Sequence, residues 1–301
     1  MSKNIQIWSD IGAQITQATG DLFEIGDRQS LGGGCINQVY RISNARGTPN
    51  RYLLKLNQAS LIEMFVAEAT GLSALAATAT IGVPAPICWG VSDTCSYLVL
   101  EYLDLTTKAD ARGWRELGGN LARLHRDRSL TNEQFGWQID NTIGSTPQIN
   151  TWTSDWVTFF INHRIGYQLQ IAHQKGGNFP KSAALLRAIP QLLADYQPQP
   201  SLVHGDLWSG NASFTTGGIP VIFDPAIYWG DREVDLALSE LFGGFPAAFY
   251  QGYGQVYPLD PGYSHRRDLY NLYHILNHYN LFGGSYEAQA NRTIDALCQA
   301  I

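Results

Sequence analysis

The chain has 301 residues, 45% of them hydrophobic and 15% charged, with a formal charge of −6. That length gives ample material for a core and suits a two-lobed enzyme or a pair of modest domains. The acidic balance argues against a nucleic-acid partner.

The start, Met1-Ser2-Lys3-Asn4, leads into mixed polar sequence with no apolar leader. No window suggests a membrane span, so a cytoplasmic protein without a membrane partner is expected. Residues 4 to 20 read as a helix, with Ile5, Trp8, Ile11 and Ile15 near the 3.6 period and Gly20 after its end. Next, Gly32-Gly33-Gly34-Cys35 breaks into the alternating run Ile36 to Ile42. Glycines let a backbone approach an anion closely and offer its NH groups as donors, so a hairpin over phosphates is expected. Three glycines alone would equally make a plain turn.

The continuation lifts them above that. Arg51 to Asn57 reads as a strand carrying one lysine, Lys55, among apolar residues, where a buried ammonium needs an anionic partner. A helix over roughly 61 to 79 follows and offers Glu63 or Glu68. Glu68 lies closer to the apolar stripe and is preferred. Kinases use such a Lys–Glu pair to order the α- and β-phosphates of a nucleotide. Gly82-Val83-Pro84-Ala85-Pro86 ends the helix, and strands are expected at 87–91 and 97–100. Leu100-Glu101-Tyr102-Leu103-Asp104 then marks either a hinge whose backbone can meet an adenine edge or, equally, a plain linker. The expected division is a nucleotide-binding lobe over 1–103 and a catalytic and substrate-binding lobe over 104–301.

Trp114 to His125 reads as a helix, with His125 assigned to the core. The stretch from there to Leu202 is rich in aromatics, among them Trp152, Trp156, Phe159, Phe160 and Arg164. It reads as helical, with stripes that are core by default and a placement that would let its helices wall an acceptor pocket.

Two short β-branched runs follow, each ending near an aspartate: Leu202-Val203-His204-Gly205-Asp206 and Val221-Ile222-Phe223-Asp224. Asp206 and Asn211 are separated by four residues, the spacing that kinase catalytic loops place between the proton acceptor and a metal-holding amide. Asp224 would be the second metal ligand. The triplet His204-Gly205-Asp206 alone discriminates little, because Asp, Asn and Gly are common turn formers. The joint pattern with the glycine cluster and Lys55 points to an ATP- and Mg²⁺-dependent phosphotransferase. Past Asp224 a helix returns within a few residues, which leaves no room for a protein-kinase activation loop and favours a small or locally exposed acceptor. Arg232 and Glu233 would orient the pocket or form an ion pair, with Glu233 and Asp235 favoured as structural.

Several strings together resemble the fructosamine kinase (ketosamine-3-kinase) family. They include Gly32-Gly33-Gly34-Cys35-Ile36-Asn37, Trp152-Thr153-Ser154-Asp155-Trp156, His204-Gly205-Asp206-Leu207-Trp208-Ser209-Gly210-Asn211 and Leu241-Phe242-Gly243-Gly244-Phe245-Pro246. The resemblance implies an α+β, protein-kinase-like two-lobed fold, with a small β-rich lobe and a larger helical one. It implies ATP-dependent phosphorylation of the C3 hydroxyl of a ketoamine, of fructosamine or ribulosamine type, in the repair of glycated amines or proteins. Asp206 would be the proton acceptor, Asn211 and Asp224 would hold Mg²⁺, and Lys55 and Glu68 would order the phosphates. Trp208 would stack on the sugar, with Trp229 and Asp231 also on the acceptor side. The rivals are a kinase for an aminoglycoside- or choline-like alcohol and a nucleotide-binding pseudokinase acting as an interaction module.

The four cysteines, Cys35, Cys88, Cys95 and Cys298, show neither CxxC nor paired metal-ligand spacing and read as reduced thiols. Cys35, directly after three glycines, is the one expected to meet oxidants. A disulfide between two such residues would make a redox-dependent homodimer of an otherwise monomeric protein.

Overall fold

The computed structural model describes residues 2–32, 36–47, 49–129 and 133–300. Helix α1 (Ser2–Thr19) is followed by three antiparallel strands, β1 (Ile25–Leu31), β2 (Gln38–Asn44) and β3 (Arg51–Gln58). Helix α2 (Ile62–Ala77) then leads to β4 (Pro86–Ser92) and β5 (Cys95–Glu101), completing a sheet of order β1-β2-β3-β5-β4. Strand alternation decides what each face carries. Leu54 and Leu56 of β3, with Tyr97 and Val99 of β5, meet Ile7, Ile11 and Ile15 of α1. Leu53, Leu98 and Leu100 point the other way and meet Phe65, Ala69 and Leu72 of α2. Lys55 shares that second face, so the two-residue period delivers its ammonium to α2.

The edge strand β1 was not predicted. Its central residues, Gly26-Asp27-Arg28-Gln29-Ser30, are exposed and carry no alternating apolar signal. Contrary to the sequence expectation, one stretch, Ala59–Ala77, is long and apolar enough to cross a membrane by length and composition. Here it is a core helix, with Phe65, Leu72 and Leu75 fully buried and Glu68 ion-paired.

The second lobe begins with β6 (Leu105–Thr106) and helix α3 (Ala111–Arg126), whose N-cap Asp110 accepts from Arg112 N and Gly113 N. A hairpin of β7 (Asn141–Ile143) and β8 (Thr146–Gln148) comes next. Helix α4 (Trp156–Phe160) runs through one π-turn, Ile161–Ile165, into α5 (Gly166–Gln174), and α6 (Ser182–Leu192) follows. Short strands β9 (Ser201–Val203), β10 (Ala212–Thr215), β11 (Pro220–Ile222) and β12 (Tyr228–Gly230) frame the region of interest. Helices α7 (Glu233–Leu241), α8 (Ala247–Val256), α9 (Tyr263–Phe282) and α10 (Ser285–Gln299) complete the chain. The stretch between His125 and Leu202 is therefore not helical throughout: three-residue strands such as Asn141-Thr142-Ile143 are too short for a period to register.

One core joins Phe159, Phe160, Leu272, Leu276 and Ile294, and a second joins Leu121, Leu207, Phe214, Ile222 and Phe249. The second lies directly beneath the loop between β9 and β10. Helices α3 and α8 cross there at glycines, since a methyl on Gly118 would strike the Phe249 carbonyl and one on Gly252 that of Arg115. We predict that Gly118→Ala forces the helices apart and destabilises the protein by about 1–3 kcal/mol. Chemical denaturation tests this, and an unchanged midpoint would contradict it.

Candidate active site

A cleft of about 270 Å³ runs between the lobes, bordered by Lys55, Glu68, Asp206, Trp208, Asn211 and Asp224. Pairing of β10 with β11 sets Ala212 opposite Ile222, so Asn211 and the segment after Ile222 leave the hairpin side by side. Phe223 N donates to Asn211 O at 3.1 Å, which brings Asp224 next to Asn211. Asp224 has φ 56°, a left-handed conformation that aspartate tolerates better than most residues.

Lys55 Nζ donates to Glu68 Oε1 at 2.6 Å and to Asp224 Oδ1 at 2.5 Å. Burial alone would lower the ammonium's pKa, but the charges of Glu68 and Asp224 outweigh it and raise it. Glu63, the competing candidate from the sequence, is exposed. Burial and the Asp224 charge push the Asp206 carboxyl up to about 7, against the lowering effect of the Asn211 amide. That amide donates from Nδ2 to Asp206 Oδ2 at 3.0 Å and to Asp206 O at 2.9 Å. No hydrogen bond uses the Asn211 amide oxygen among the described residues.

The backbone of the loop between β9 and β10 is fixed from behind. Asp235, fully buried on α7, accepts from His204 N at 2.7 Å, Gly205 N at 2.8 Å and His125 Nε2 at 3.1 Å. Burial alone would raise the Asp235 carboxyl, yet His125 and these donors hold it below the usual carboxylate range. His204 Nε2 in turn bonds Phe223 O at 2.9 Å. His125 and Asp235 are thus structural, as the sequence suggested, and they act on the loop itself. Arg232 does not pair with Glu233: it donates to the carbonyls of Tyr257 and Pro258, and Arg266 takes Glu233 through Nε and Nη2 at 2.8 and 2.9 Å.

Two predicted acceptor residues lie elsewhere. In the antiparallel register of β12 with β9, Trp229 faces Leu202 and Gly230 faces Ser201, so each step past Tyr228 moves away from Asp206. Trp229 packs into the core. Asp231 is fully buried and accepts from Tyr270 at 2.5 Å, Tyr196 at 3.1 Å and Glu233 N at 3.0 Å. Trp208 does border the cleft, 38% exposed, with its ring edge-on to Phe242.

Gly32 follows β1 with open space around it, while Gly33, Gly34 and Cys35 lie outside the described residues. Ile36 and Asn37, just past them, border the cleft. Glu101 ends β5, and its N donates to Ala85 O at 2.8 Å, while the Tyr102 ring lies beneath the Arg51 guanidinium. The sequence reading missed Asn141, Thr142 and Gly144, which the β7–β8 hairpin brings to the cleft in place of the expected helices. A larger groove, about 870 Å³, is lined by Trp156, Leu193 and Pro200 and includes none of Lys55, Asp206, Asn211 or Asp224.

An amide oxygen and a carboxylate beside a paired ammonium suit a hard divalent cation that also binds a nucleotide's phosphates. Magnesium usually takes only one or two protein carboxylates there, which fits this donor set. Among the described residues no cluster of three His, Cys, Asp or Glu offers a fuller metal cage.

The arrangement is that of a protein-kinase-like phosphotransferase. The family model for fructosamine kinases matches residues 7–300, and the chain belongs to that family. A ketoamine kinase candidate of Synechocystis is 55% identical over 287 residues, 95% of each chain. The chloroplastic protein-ribulosamine 3-kinase of Arabidopsis thaliana is 43% identical, over 88% of this chain and 81% of its own. The crystal structure of a fructosamine-3-kinase candidate of Haemophilus somnus superposes with a TM-score of 0.91 at 32% identity, covering 98% of this chain and 99% of that one.

Asp231 gives a test of its own. Burial and the Glu233 charge raise its carboxyl from 3.8 to about 7. Because the folded value lies above the unfolded one, the stability contributed by the protonated form is complete below the ordinary value and is lost as pH rises through about 7. Asp231→Asn, which mimics that form, is predicted to flatten the fall in melting temperature between about pH 5 and about pH 8. A fall as steep as the parent's would show that Asp231 is ionised throughout.

Proposed function

We propose that this chain transfers the γ-phosphoryl of ATP to the C3 hydroxyl of a ketoamine of fructosamine or ribulosamine type, as a step in the repair of glycated amines or proteins. The observation that carries the reading is the meeting of Asp206, Asn211, Asp224 and the Lys55–Glu68 pair in one cleft, in a chain whose match to the fructosamine kinases runs from residue 7 to residue 300. Asp206 is the proton acceptor. Its carboxylate takes the hydroxyl proton as the substrate oxygen bonds to phosphorus and the bond to the ADP oxygen breaks. Lys55, ordered by Glu68, holds the α- and β-phosphates. Glu101 lies three positions along β5 from the Leu98 that faces Lys55, a span of about 10 Å. That separation suits an adenine at Glu101 to Leu103 and phosphates at Lys55. Asn211 Oδ1 and Asp224 hold Mg²⁺, which when bound neutralises charge building on the phosphoryl oxygens. Trp208 offers an exposed ring face to the sugar. Residues 1–103 and 104–301 act as the nucleotide-binding and acceptor-binding lobes, in a cytoplasmic protein.

ADP release with ribulosamine- and fructosamine-lysine, aminoglycosides and choline tests the acceptor class, and only the ketoamines are predicted to turn over. Asp206→Asn should lower kcat by roughly a thousandfold or more while nucleotide affinity changes little. Near-normal turnover would remove the base from Asp206. Because the base works deprotonated, kcat/KM should climb as pH rises through about 7 and level off above it. A flat profile across that range would contradict the assignment. Trp208→Ala should raise KM for the ketoamine and leave that for ATP unchanged, whereas an equal loss for both would indicate a packing role.

A further inference from the structure

Asp224 sits in a left-handed conformation, which for a non-glycine residue costs on the order of 1–3 kcal/mol and persists only where neighbours over-determine it. Its flanking backbone is held from two sides. Upstream, the catalytic loop supplies His204 Nε2 to Phe223 O and accepts Ala226 N at His204 O. Downstream, the β7–β8 hairpin supplies Gln148 Nε2 to Ala226 O at 3.0 Å and Asn141 Nδ2 to Ile227 O at 2.8 Å. No motif marks this second set.

The donors of that set form a directed chain. Arg164 Nη2 donates to Asn150 Oδ1 at 2.9 Å, Asn150 Nδ2 to Asn141 Oδ1 at 3.0 Å, and Asn141 Nδ2 to Ile227 O. Gln148 joins it, donating to Asn141 Oδ1 at 2.8 Å and accepting the Tyr273 hydroxyl at 2.7 Å. Each amide accepts at oxygen and donates at nitrogen in the same sense, so the guanidinium charge polarises every link toward the Ile227 carbonyl. Arg164 is fully buried, and among the described residues no carboxylate is one of its partners. Its guanidinium lies 4.0 Å from the Tyr228 ring centre and 4.6 Å from that of Phe159, and its Nε has no partner among the described residues. The π-turn that carries it closes on Gly166, where a methyl would come within 2.6 Å of the Ile161 carbonyl. A buried cation without a counter-charge is expensive, and a π-turn is a rare device that recurs at functional sites.

We propose that Arg164, Asn150, Asn141 and Gln148 form a positioning relay that holds Asp224 in its strained conformation, aimed at the divalent cation. The proposal rests on the reading of Asp224 as a cation ligand. Of the four relay residues, only Asn141 borders the cleft, so the signature of cutting the relay at Gln148 is weakened cation binding.

The test is Mn²⁺ titration in the presence of ADP, followed by electron paramagnetic resonance, which needs no turnover. Gln148→Met removes both donations at nearly constant volume and should weaken Mn²⁺ roughly ten-fold or more, the range seen when an outer partner of a metal ligand is lost. Tyr273→Phe, a milder cut at the same amide, should weaken Mn²⁺ by a smaller factor and serves if Gln148→Met does not fold. Asp224→Ala is the control. If it abolishes Mn²⁺ binding while Gln148→Met and Tyr273→Phe lower only the melting temperature, the relay is structural and the proposal falls. If Asp224→Ala itself leaves Mn²⁺ binding intact, the reading of Asp224 falls and the relay with it.

Discussion

The Lys55 ammonium is where three separate segments of the chain meet. It arrives on β3, its first partner Glu68 comes from α2, and its second, Asp224, lies 169 residues away in the other lobe. Lys55 and Glu68 are both buried, so removing one of that pair leaves an uncompensated charge, at a cost of roughly 3–5 kcal/mol, whereas the Asp224 side chain stays half exposed. The contact therefore registers the lobes against each other as well as ordering a site. Its electrostatics reach the next residue over, since the Asp224 charge helps to raise the Asp206 carboxyl. An Asp206 carboxyl raised to about 7 is thus a consequence first of burial and then of the neighbouring Asp224 charge.

Rigidity comes largely from polar side chains behind the cleft. Asp235 gathers two backbone amides of the catalytic loop and the His125 ring, and Tyr253 closes the set from α8 at 2.8 Å from His125 Nδ1. On the other flank, Gln148 and Asn141 cap the carbonyls of Ala226 and Ile227. Both groups spend side-chain polarity on backbone groups that a turn would otherwise leave unpaired in the interior. The short strands β9 to β12 could not hold such a loop by ladder bonds alone.

Much of this was legible in the sequence, because its signals are local. The Lys55 strand follows from one charge in an apolar run, and the catalytic loop from a fixed spacing between Asp206 and Asn211. The helix bearing Glu68 follows from an apolar stripe. What failed depends on direction or on brevity. Trp229 and Asp231 are close to Asp224 in sequence, yet β12 turns antiparallel to β9 and carries them to the far end of that strand. Sequence distance does not encode that turn. The β7–β8 hairpin has three residues per strand, with a proline in one, and so shows no period. Its importance lies in Gln148, Asn141 and Asn150, polar residues that composition assigns to loops. A buried Arg164 without a carboxylate partner likewise looks, in sequence, like any arginine in a helix.

In the reaction we propose, this geometry delivers a phosphoryl group to one hydroxyl of a ketoamine. Phosphorus–proton correlated NMR on the product formed from ATP and ribulosamine-lysine reads the site of attachment directly. A phosphate on O3, formed in step with ADP, is the expected result. Phosphate on another hydroxyl, or ADP released with no phosphorylated sugar, would contradict it.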